Sequence, residues 1–385
     1  MHTPTPPGTE APAYSGAGLS PTAGLSGLAT VEGTARYRDR HASFAAAGYF
    51  RPLADARLVS SIGLGTYLGE PDDAEDTRYR ASVRAALAGG VNLVDTAINY
   101  RCQRSERAVG SALAACVATG VVRRDEVVLC TKGGFIPLDG AAPATRDEYR
   151  AYLKRAFFDP GILTPADVST GGHSLAPSFL AHQIARSRAN LGVAALDVYY
   201  LHNPEQQLEA GSADRFRTQV REAFALLEDR ARRGEIGLYG CATWDGFRVP
   251  PGVRGHLSLQ ELVTLAREVG GDGHHFRVVQ APMSIAAHEA VRAPTQQLGR
   301  GAKRARVPLV EAAAELGVQV VASAPLMHGQ LTRGLPPQLR EAFPALTTDA
   351  QRAIAFVRAM PGVTAALVGM RSAEHVTENL EAGRA

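Results

Sequence analysis

Lysine is nearly missing from this chain of 385 residues: Lys132, Lys154 and Lys303 stand among 38 arginines. Wherever a plain positive charge would serve, the chain uses arginine, so a lysine kept in a special place marks a need for an ammonium. Cysteine is scarce as well. Cys102, Cys116, Cys130 and Cys241 include no pair at C-x-x-C spacing. That argues against a structural zinc site or a disulfide framework, and for a reducing, cytoplasmic setting. No apolar run approaches the roughly 20 residues that span a bilayer, so no membrane partner is expected. Neither sign of charge dominates: 41 basic and 38 acidic residues leave a net +3. Their interspersion leaves no basic stripe with interleaved aromatics, and nucleic acid is not an expected partner. The first thirty residues lack a basic start followed by an apolar core, which argues against an ordinary secretory signal. Residues 1–45 read as a flexible Pro/Gly-rich tail that cannot bury enough apolar surface to order its backbone. Residues 46–385 read as the folded part.

What is present is a regular alternation. From about residue 50, short runs rich in Val, Leu and Ile alternate with longer amphipathic stretches. The runs are 62–65, 91–95, 127–132, 196–201, 236–240, 276–280, 318–322 and 365–369. Most are apolar on both faces, as buried parallel strands are. Helices are expected at about 74–89, 104–119, 177–192, 214–234, 258–270, 303–317, 349–360 and 372–382. In the fourth, Phe224, Leu227 and Ala231 form one buried stripe, with charged residues over much of the remaining surface. Eight β–α units point to an α/β fold, a (β/α)8 TIM barrel, with segment 51–60 as an N-terminal β-hairpin closing its bottom. An open doubly wound sheet is the alternative, but no G-x-G-x-x-G follows an early strand. Insertions at about 133–173, 281–302 and 323–348 all follow strands. They project as long loops from the C-terminal rim, where barrel enzymes place substrate-binding loops.

Polar residues stand at the ends of three successive strands: Asp95 with Tyr100 just beyond it, Lys132, and His202. In a barrel these converge on one rim. A tyrosine, with a pKa near 10, is a reluctant acid at neutral pH. A neighbouring ammonium, Lys132, lowers that value by favouring tyrosinate. Asp95 keeps Lys132 protonated and oriented, and His202 donates a hydrogen bond to a substrate oxygen. The set makes a proton donor facing a polarised carbonyl.

In these residues the chain resembles the aldo-keto reductase family, in order from about residue 50 to the end. Phe50-Arg-Pro-Leu-Ala-Asp-Ala-Arg-Leu-Val-Ser60 is similar to the family's N-terminal hairpin, and Gly63-Leu-Gly-Thr66 to its first strand. Asp95-Thr-Ala-x-x-Tyr100 with Ser105-Glu106 and Gly110 resembles its second-strand signature. Thr131-Lys132 and Leu201-His202-Asn-Pro204 follow in register, and Gly369-Met-Arg-Ser372 with Glu378-Asn379 resembles the C-terminal cofactor motif. The resemblance implies Asp95, Tyr100, Lys132 and His202 as catalytic residues, with NADPH (NADP+) as cofactor and Tyr100 as general acid. It places Gly65, Thr66, Tyr67, Thr243, Gln280, Leu326, Gly329, Leu331, Gly369, Arg371, Ser372, Glu378 and Asn379 around the cofactor. Gln280 would take the nicotinamide amide. The loop Pro325–Leu331 would run along the pyrophosphate, and Arg371 and Ser372 would hold the adenosine 2′-phosphate. On physical grounds too, Gly369 allows close backbone approach, and Arg371 with Ser372 suits a phosphate at a helix N-terminus.

The chain departs from the family at Ala242-Thr243, where Ser-Asn is usual, at Ser323, where an aromatic often stacks, and at Arg101-Cys102, where Gly frequently follows the tyrosine. The expected activity is reduction of a small-molecule aldehyde or ketone to an alcohol by hydride transfer. The departures motivate a second reading, a lyase or dehydratase using the same residues for acid–base work. A third is an NADPH-sensing regulatory subunit like the family's channel-associated members. His328 and Trp244 stand on rim loops within reach of substrate. Cys102 reads as an inert thiol near the site. No metal is expected, since His274-His275 sits in a turn-like stretch. Phe135, Tyr149, Tyr152, Phe157 and Phe158 in the 133–173 insertion point to a partly apolar or ring-bearing substrate.

Overall fold

The computed structural model describes residues 24–42, 48–299, 301 and 304–384. Eight parallel strands close into a barrel: β3 (Ile62–Gly65), β4 (Leu93–Asp95), β5 (Val128–Gly133), β6 (Leu196–His202), β7 (Ile236–Ala242), β8 (Phe276–Pro282), β11 (Gln319–Ser323) and β12 (Val363–Gly369). The order around the barrel is β11-β12-β3-β4-β5-β6-β7-β8, with β8 also paired to β11. Each strand overlaps one of the expected apolar runs. The expected (β/α)8 architecture is the observed one, and the open doubly wound sheet is not.

Side chains alternate between two apolar compartments. Leu93, Val128, Cys130, Val198, Tyr200, Val278, Val321 and Leu367 fill the inside of the barrel. A larger layer packs the strands' outer faces against the helices, and Val220, Phe224 and Leu227 belong to it. The hairpin β1 (Phe50–Pro52) and β2 (Leu58–Ser60) is antiparallel. Its tip residue Leu53, 4% exposed, joins the inner cluster and plugs the lower end. Gly240 is required on β7, because a Cβ there would lie 1.6 Å from the carbonyl oxygen of Val278. The β7–β8 register shifts at that point.

Helix signals are local and hold. Helix Asp73–Gly89 starts at Asp72, whose side chain accepts the Glu75 N–H, and ends at Gly90 with φ 109°. The expected helix over 303–317 is shorter, Leu309–Glu315 behind Pro308. Before it, β10 (Ala305–Val307) pairs with β9 (Gln296–Leu298) instead, and Lys303 lies outside the described residues.

The expected tail boundary at residue 45 needs correction. Residues 1–23 and 43–47 lie outside the described residues, but residues 24–42 pack on the barrel. Leu25 exchanges backbone hydrogen bonds with Gly192 and Ala194, and the Ala29 N–H donates to Asp197 at 2.7 Å. Helix Val31–Arg40 is capped by Thr30. Its buried Tyr37 donates to the Leu87 carbonyl at 2.7 Å, and Arg36 and Arg40 both reach Glu126. Docking surface supplied elsewhere in the chain orders a segment whose composition alone would not.

The 133–173 insertion also differs from expectation. Helix Arg146–Leu153 runs into a π turn at Lys154–Phe158. Phe157, Tyr152 and Phe158 pack with Ile136, Leu163 and Phe179 in a small core of their own. Of the five aromatics noted in this insertion, Phe135 alone lines the main cleft. No helix among the described residues is long and apolar enough to cross a membrane. Nor does any cluster of three His, Cys, Asp or Glu among them suit a metal. His275 pairs instead with Glu228 at 2.8 Å, and Arg277 with His274.

Candidate active site

The four acid–base residues meet at the C-terminal rim because their strands are consecutive neighbours. Asp95 ends β4, and its Cα partner on β5 is Cys130, two residues before Lys132. Lys132 pairs with Tyr200 of β6, and His202 pairs with Ala242 of β7. Lys132 is 1% exposed. Its ammonium donates to Asp95 Oδ1, to the Thr96 carbonyl at 2.9 Å and to Tyr100 Oη at 3.2 Å. That is one acceptor for each of its three protons. The second carboxylate oxygen of Asp95 accepts Gln280 Nε2 at 2.9 Å. The ring of His202 meets Tyr100 edge-on, with centroids 5.8 Å apart.

Burial dominates the titration of this cluster. It pushes Tyr100 above the usual phenol range, and Lys132 offsets only part of that rise. Lys132 does act to lower Tyr100, as expected, but desolvation outweighs the charge. Burial also pulls Lys132 down, but Asp95 and Tyr100 outweigh it and hold the ammonium above the ordinary lysine range. His202 is driven well below the usual histidine range by burial first, then by Lys132 and His173. A neutral imidazole can orient a carbonyl through a hydrogen bond but cannot serve as a cationic acid.

The supports are equally specific. His173 Nε2 lies 2.8 Å from the His202 carbonyl oxygen, while Gln207 Nε2 lies 3.0 Å from His173 Nδ1. An amide NH2 can only donate, so Nδ1 accepts and Nε2–H donates to His202. Gly133 closes β5 because a Cβ there would stand 2.0 Å from Tyr199 Oη. Behind Tyr100, Arg101, Cys102 and Gln103 all have left-handed backbone, at φ 48°, 55° and 68°. Non-glycine residues there cost on the order of 1–3 kcal/mol each and need outside restraint. Arg101 supplies it, donating to Glu70 O at 2.9 Å, Asp72 O at 3.2 Å and Asp76 at 2.6 Å. The departure from glycine is thus held by a buried guanidinium.

A cleft of about 750 Å³ runs from this cluster to the end of β12. It brings together Asp95, Tyr100 and His202 with Gly65, Thr66, Tyr67, Thr243, Gln280, Leu326, Gly329, Gly369, Arg371, Glu378 and Asn379. Three expected site residues are not on its wall. Lys132 lies behind Tyr100. Leu331 packs with Leu335 and Leu339 in a satellite core. Ser372 caps helix Ala373–Leu380, accepting the His375 N–H. Arg371 lines the cleft, but its guanidinium is held by Glu75, with Nε 3.0 Å from Oε2.

Sequence reasoning missed Asn99, Asn203 and His375, all on the wall. Buried, partnerless polar atoms mark the same region: Asn99 Oδ1, Thr243 Oγ1 and His202 Nδ1. No periodicity points to them, since Asn99 and Asn203 reach the site through the loops that carry them and His375 through the first turn of helix Ala373–Leu380.

The family model for the aldo/keto reductase family matches residues 61–250, the stretch holding Asp95, Tyr100, Lys132 and His202. The chain belongs to the aldo/keto reductase family. This aldo/keto reductase is similar to an NADH-specific methylglyoxal reductase of Escherichia coli (strain K12), with 26% identity over 209 residues, 53% of each chain. It is also similar to aldo-keto reductase family 1 member D1 of Oryctolagus cuniculus, 35% identical over 81 residues, which are 21% of this chain and 24% of that protein. The matches thus span about half the length of the first relative and a quarter of the second. An aldo/keto reductase from Klebsiella pneumoniae, solved in complex with NADP and acetate, shares the fold at TM-score 0.57. The two are 20% identical over 88% of this chain and 90% of that one. Two of this aldo/keto reductase's departures from the family, Ala242 and Ser323, face the cleft.

Proposed function

We propose that the protein is an NADPH-dependent oxidoreductase that reduces an aldehyde or ketone to an alcohol, with Tyr100 as general acid. The contact of Tyr100 Oη with Lys132 Nζ at 3.2 Å carries the reading, because it couples the phenol that meets His202 edge-on to a buried ammonium. The four buried, unpaired thiols support a reducing, cytoplasmic setting.

The residues fit a nicotinamide dinucleotide. The cleft holds about 750 Å³, and on the wall it shares with Tyr100, Asn99 Oδ1 and Thr243 Oγ1 offer polar atoms with no partner among the described residues. At the other end Gly369 leaves its surroundings open, with Leu68 the nearest atom to a Cβ at 3.9 Å, and Arg371 and His375 stand alongside. The names of the solved neighbour and the curated relative, one bound to NADP and one NADH-specific, support the cofactor class. Gln280 would serve through its wall position, although its Nε2 is already given to Asp95.

When bound, the reduced nicotinamide supplies hydride to the carbonyl carbon. The chain's own residues manage the oxygen. His202, neutral and fixed by His173, orients it. As charge builds there, Tyr100 Oη–H hands over its proton. Lys132 stabilises the phenolate left behind, and Asp95 keeps Lys132 charged and in place. The raised pKa of Tyr100 keeps it protonated until that moment, and the ammonium acts as the proton leaves.

Tyr100→Phe removes the proton together with one of the three acceptors of the Lys132 ammonium. We expect NADPH binding and the fold to persist while kcat falls by about two to four orders of magnitude, measured by steady-state turnover on a panel of carbonyl compounds. Near-normal turnover would remove Tyr100 as the acid.

A further inference from the structure

Beside Tyr100 the rim carries three rings that the proton-transfer step does not use. Trp244, on the turn after β7, stacks on His328, on the turn after β11, with centroids 5.8 Å and planes 19° apart. His328 lies 5.5 Å from Tyr67 of the β3 turn, and Tyr67 meets Tyr100 edge-on at 5.0 Å. All four rings line the cleft. Because β8 stands between β7 and β11 in the barrel, the Trp244–His328 contact joins the turns on either side of β8, the strand that brings Gln280 to Asp95. Met327 and His328 are held at φ 44° and 56°, so packing fixes this side of the contact against a backbone preference.

The Trp244 side has a different anchor. Its backbone N–H donates to Glu205 Oε1 at 3.0 Å. Two residues on, Gly246 closes against Leu257, whose side chain would be 2.7 Å from a Cβ. Glu205 follows Leu201-His202-Asn203-Pro204 directly and is 2% exposed. Its Oε2 has no hydrogen-bond partner among the described residues. The groups that act on it are its own backbone N–H and those of Trp244, Asp245 and Gly246, with the Cys241 thiol also facing it. Burial raises its pKa to about 7, against those amides. A buried carboxyl opposed only by backbone N–H groups, with no cation beside it, is a costly choice for a merely structural plug, since an apolar residue of similar volume would avoid the desolvation.

We propose that Glu205 is a positioning residue that pins Trp244 against His328 and thereby sets how tightly the cleft holds its ligand, an inference that rests on the reductase reading above. It is not on the cleft wall and acts through the backbone of the Trp244 turn. A single acceptor is all the Trp244 N–H needs, and Oε2 has no bond to lose. An amide therefore suffices where an alanine does not.

The test uses the chain's single tryptophan, Trp244, as its own reporter, in the full-length protein. Emission maximum, acrylamide quenching and NADPH titration are compared for wild type, Glu205→Gln and Glu205→Ala. Steady-state KM and kcat for a carbonyl substrate are measured alongside. In Glu205→Ala we expect red-shifted, more quenchable emission and a KM raised about tenfold, with kcat within about twofold, as loss of one buried hydrogen bond under a cleft wall implies. Glu205→Gln is expected to restore emission and quenching to near wild type. The proposal is overturned if folded Glu205→Ala keeps wild-type emission and quenching, if Glu205→Gln behaves like Glu205→Ala, or if kcat falls while KM holds. Should wild type reduce no carbonyl at all, the reductase reading fails. The emission and quenching of the ligand-free variants then still decide the role of Glu205.

Discussion

The two ends of this barrel treat buried polar groups in opposite ways. At the bottom Asp197, Glu126 and Arg358 all meet partners, although Arg124 Nε has none among the described residues. Asp197, fully buried, accepts from Ala29 N, Arg57, Arg124 and Leu129 N at 2.7–2.9 Å. Glu126, also fully buried, takes Arg36 and Arg40. Arg358 donates to Ser61 at 2.9 Å and to the Ala382 carbonyl. At the top, Asn99 Oδ1, His202 Nδ1, Thr243 Oγ1 and Glu205 Oε2 are buried with no partner among the described residues. Satisfied networks hold a structure together, whereas unsatisfied groups wait for something to satisfy them. The bottom of the barrel is therefore where stability is kept, and the top is where binding is.

That contrast breaks most visibly at Asp197. Asp197→Asn leaves buried Arg124 without its carboxylate and Arg57 with Asp55 alone, and such losses cost about 3–5 kcal/mol. We expect a large drop in the urea midpoint, with kcat per folded molecule unchanged because Asp197 is near the start of β6 and His202 at its end. A fall in kcat that outlasts correction for unfolded protein would merge the two ends into one network. Thr243→Val is the opposite probe. It replaces a hydroxyl that bonds nothing in the ligand-free protein, so the thermal midpoint should stay within about a degree or rise. If Thr243 contributes one amide contact, Kd for NADPH should rise roughly tenfold. A marked loss of stability instead would show that its hydroxyl is already engaged.

The sequence was readable to different depths at the two ends. The barrel shows through because strands buried on both faces must be apolar throughout, and eight such runs fit few architectures. Asp95, Lys132 and His202 show through because a titratable group at the end of such a run has no structural reason to be there. The helix Val31–Arg40 does not. Its Gly33 and its arginines suggest a tail, and its stability comes from Glu126, about ninety residues further on. Tyr152, Phe157 and Phe158 were legible as apolar but not as members of a separate core with Phe179. Arg371 was legible as a rim cation but not as Glu75's partner, since nothing in either segment shows that the helix from Asp73 passes the end of β12. Glu205 is the deepest case. An acid just after a proline reads as a first-turn residue facing a helix dipole, and only the Trp244 turn folding over it makes it a buried group.

The smallest effect separates the two ends by pH. Glu126 and Glu205 are both buried glutamates with an ordinary carboxyl value of 4.5. Burial pushes each one up. At Glu126, Arg40, the Arg123 N–H and Arg36 overcome that and bring it to about 2. At Glu205 backbone N–H groups alone oppose burial, and it rises to about 7. The signs of the linkage therefore differ. Folded Glu126 binds fewer protons than the unfolded chain, so its contribution is present above pH 4.5 and is lost as pH falls toward 2. Folded Glu205 binds more, so its contribution is present below pH 4.5 and is lost as pH rises toward 7. In thermal midpoints measured against pH, Glu126→Gln should flatten the acid limb and leave the limb between 4.5 and 7 alone. Glu205→Gln should do the reverse, by on the order of one or two degrees. If both variants changed the same limb, the carboxylates would share one environment, and the division between a paired base and an unpaired rim would fail.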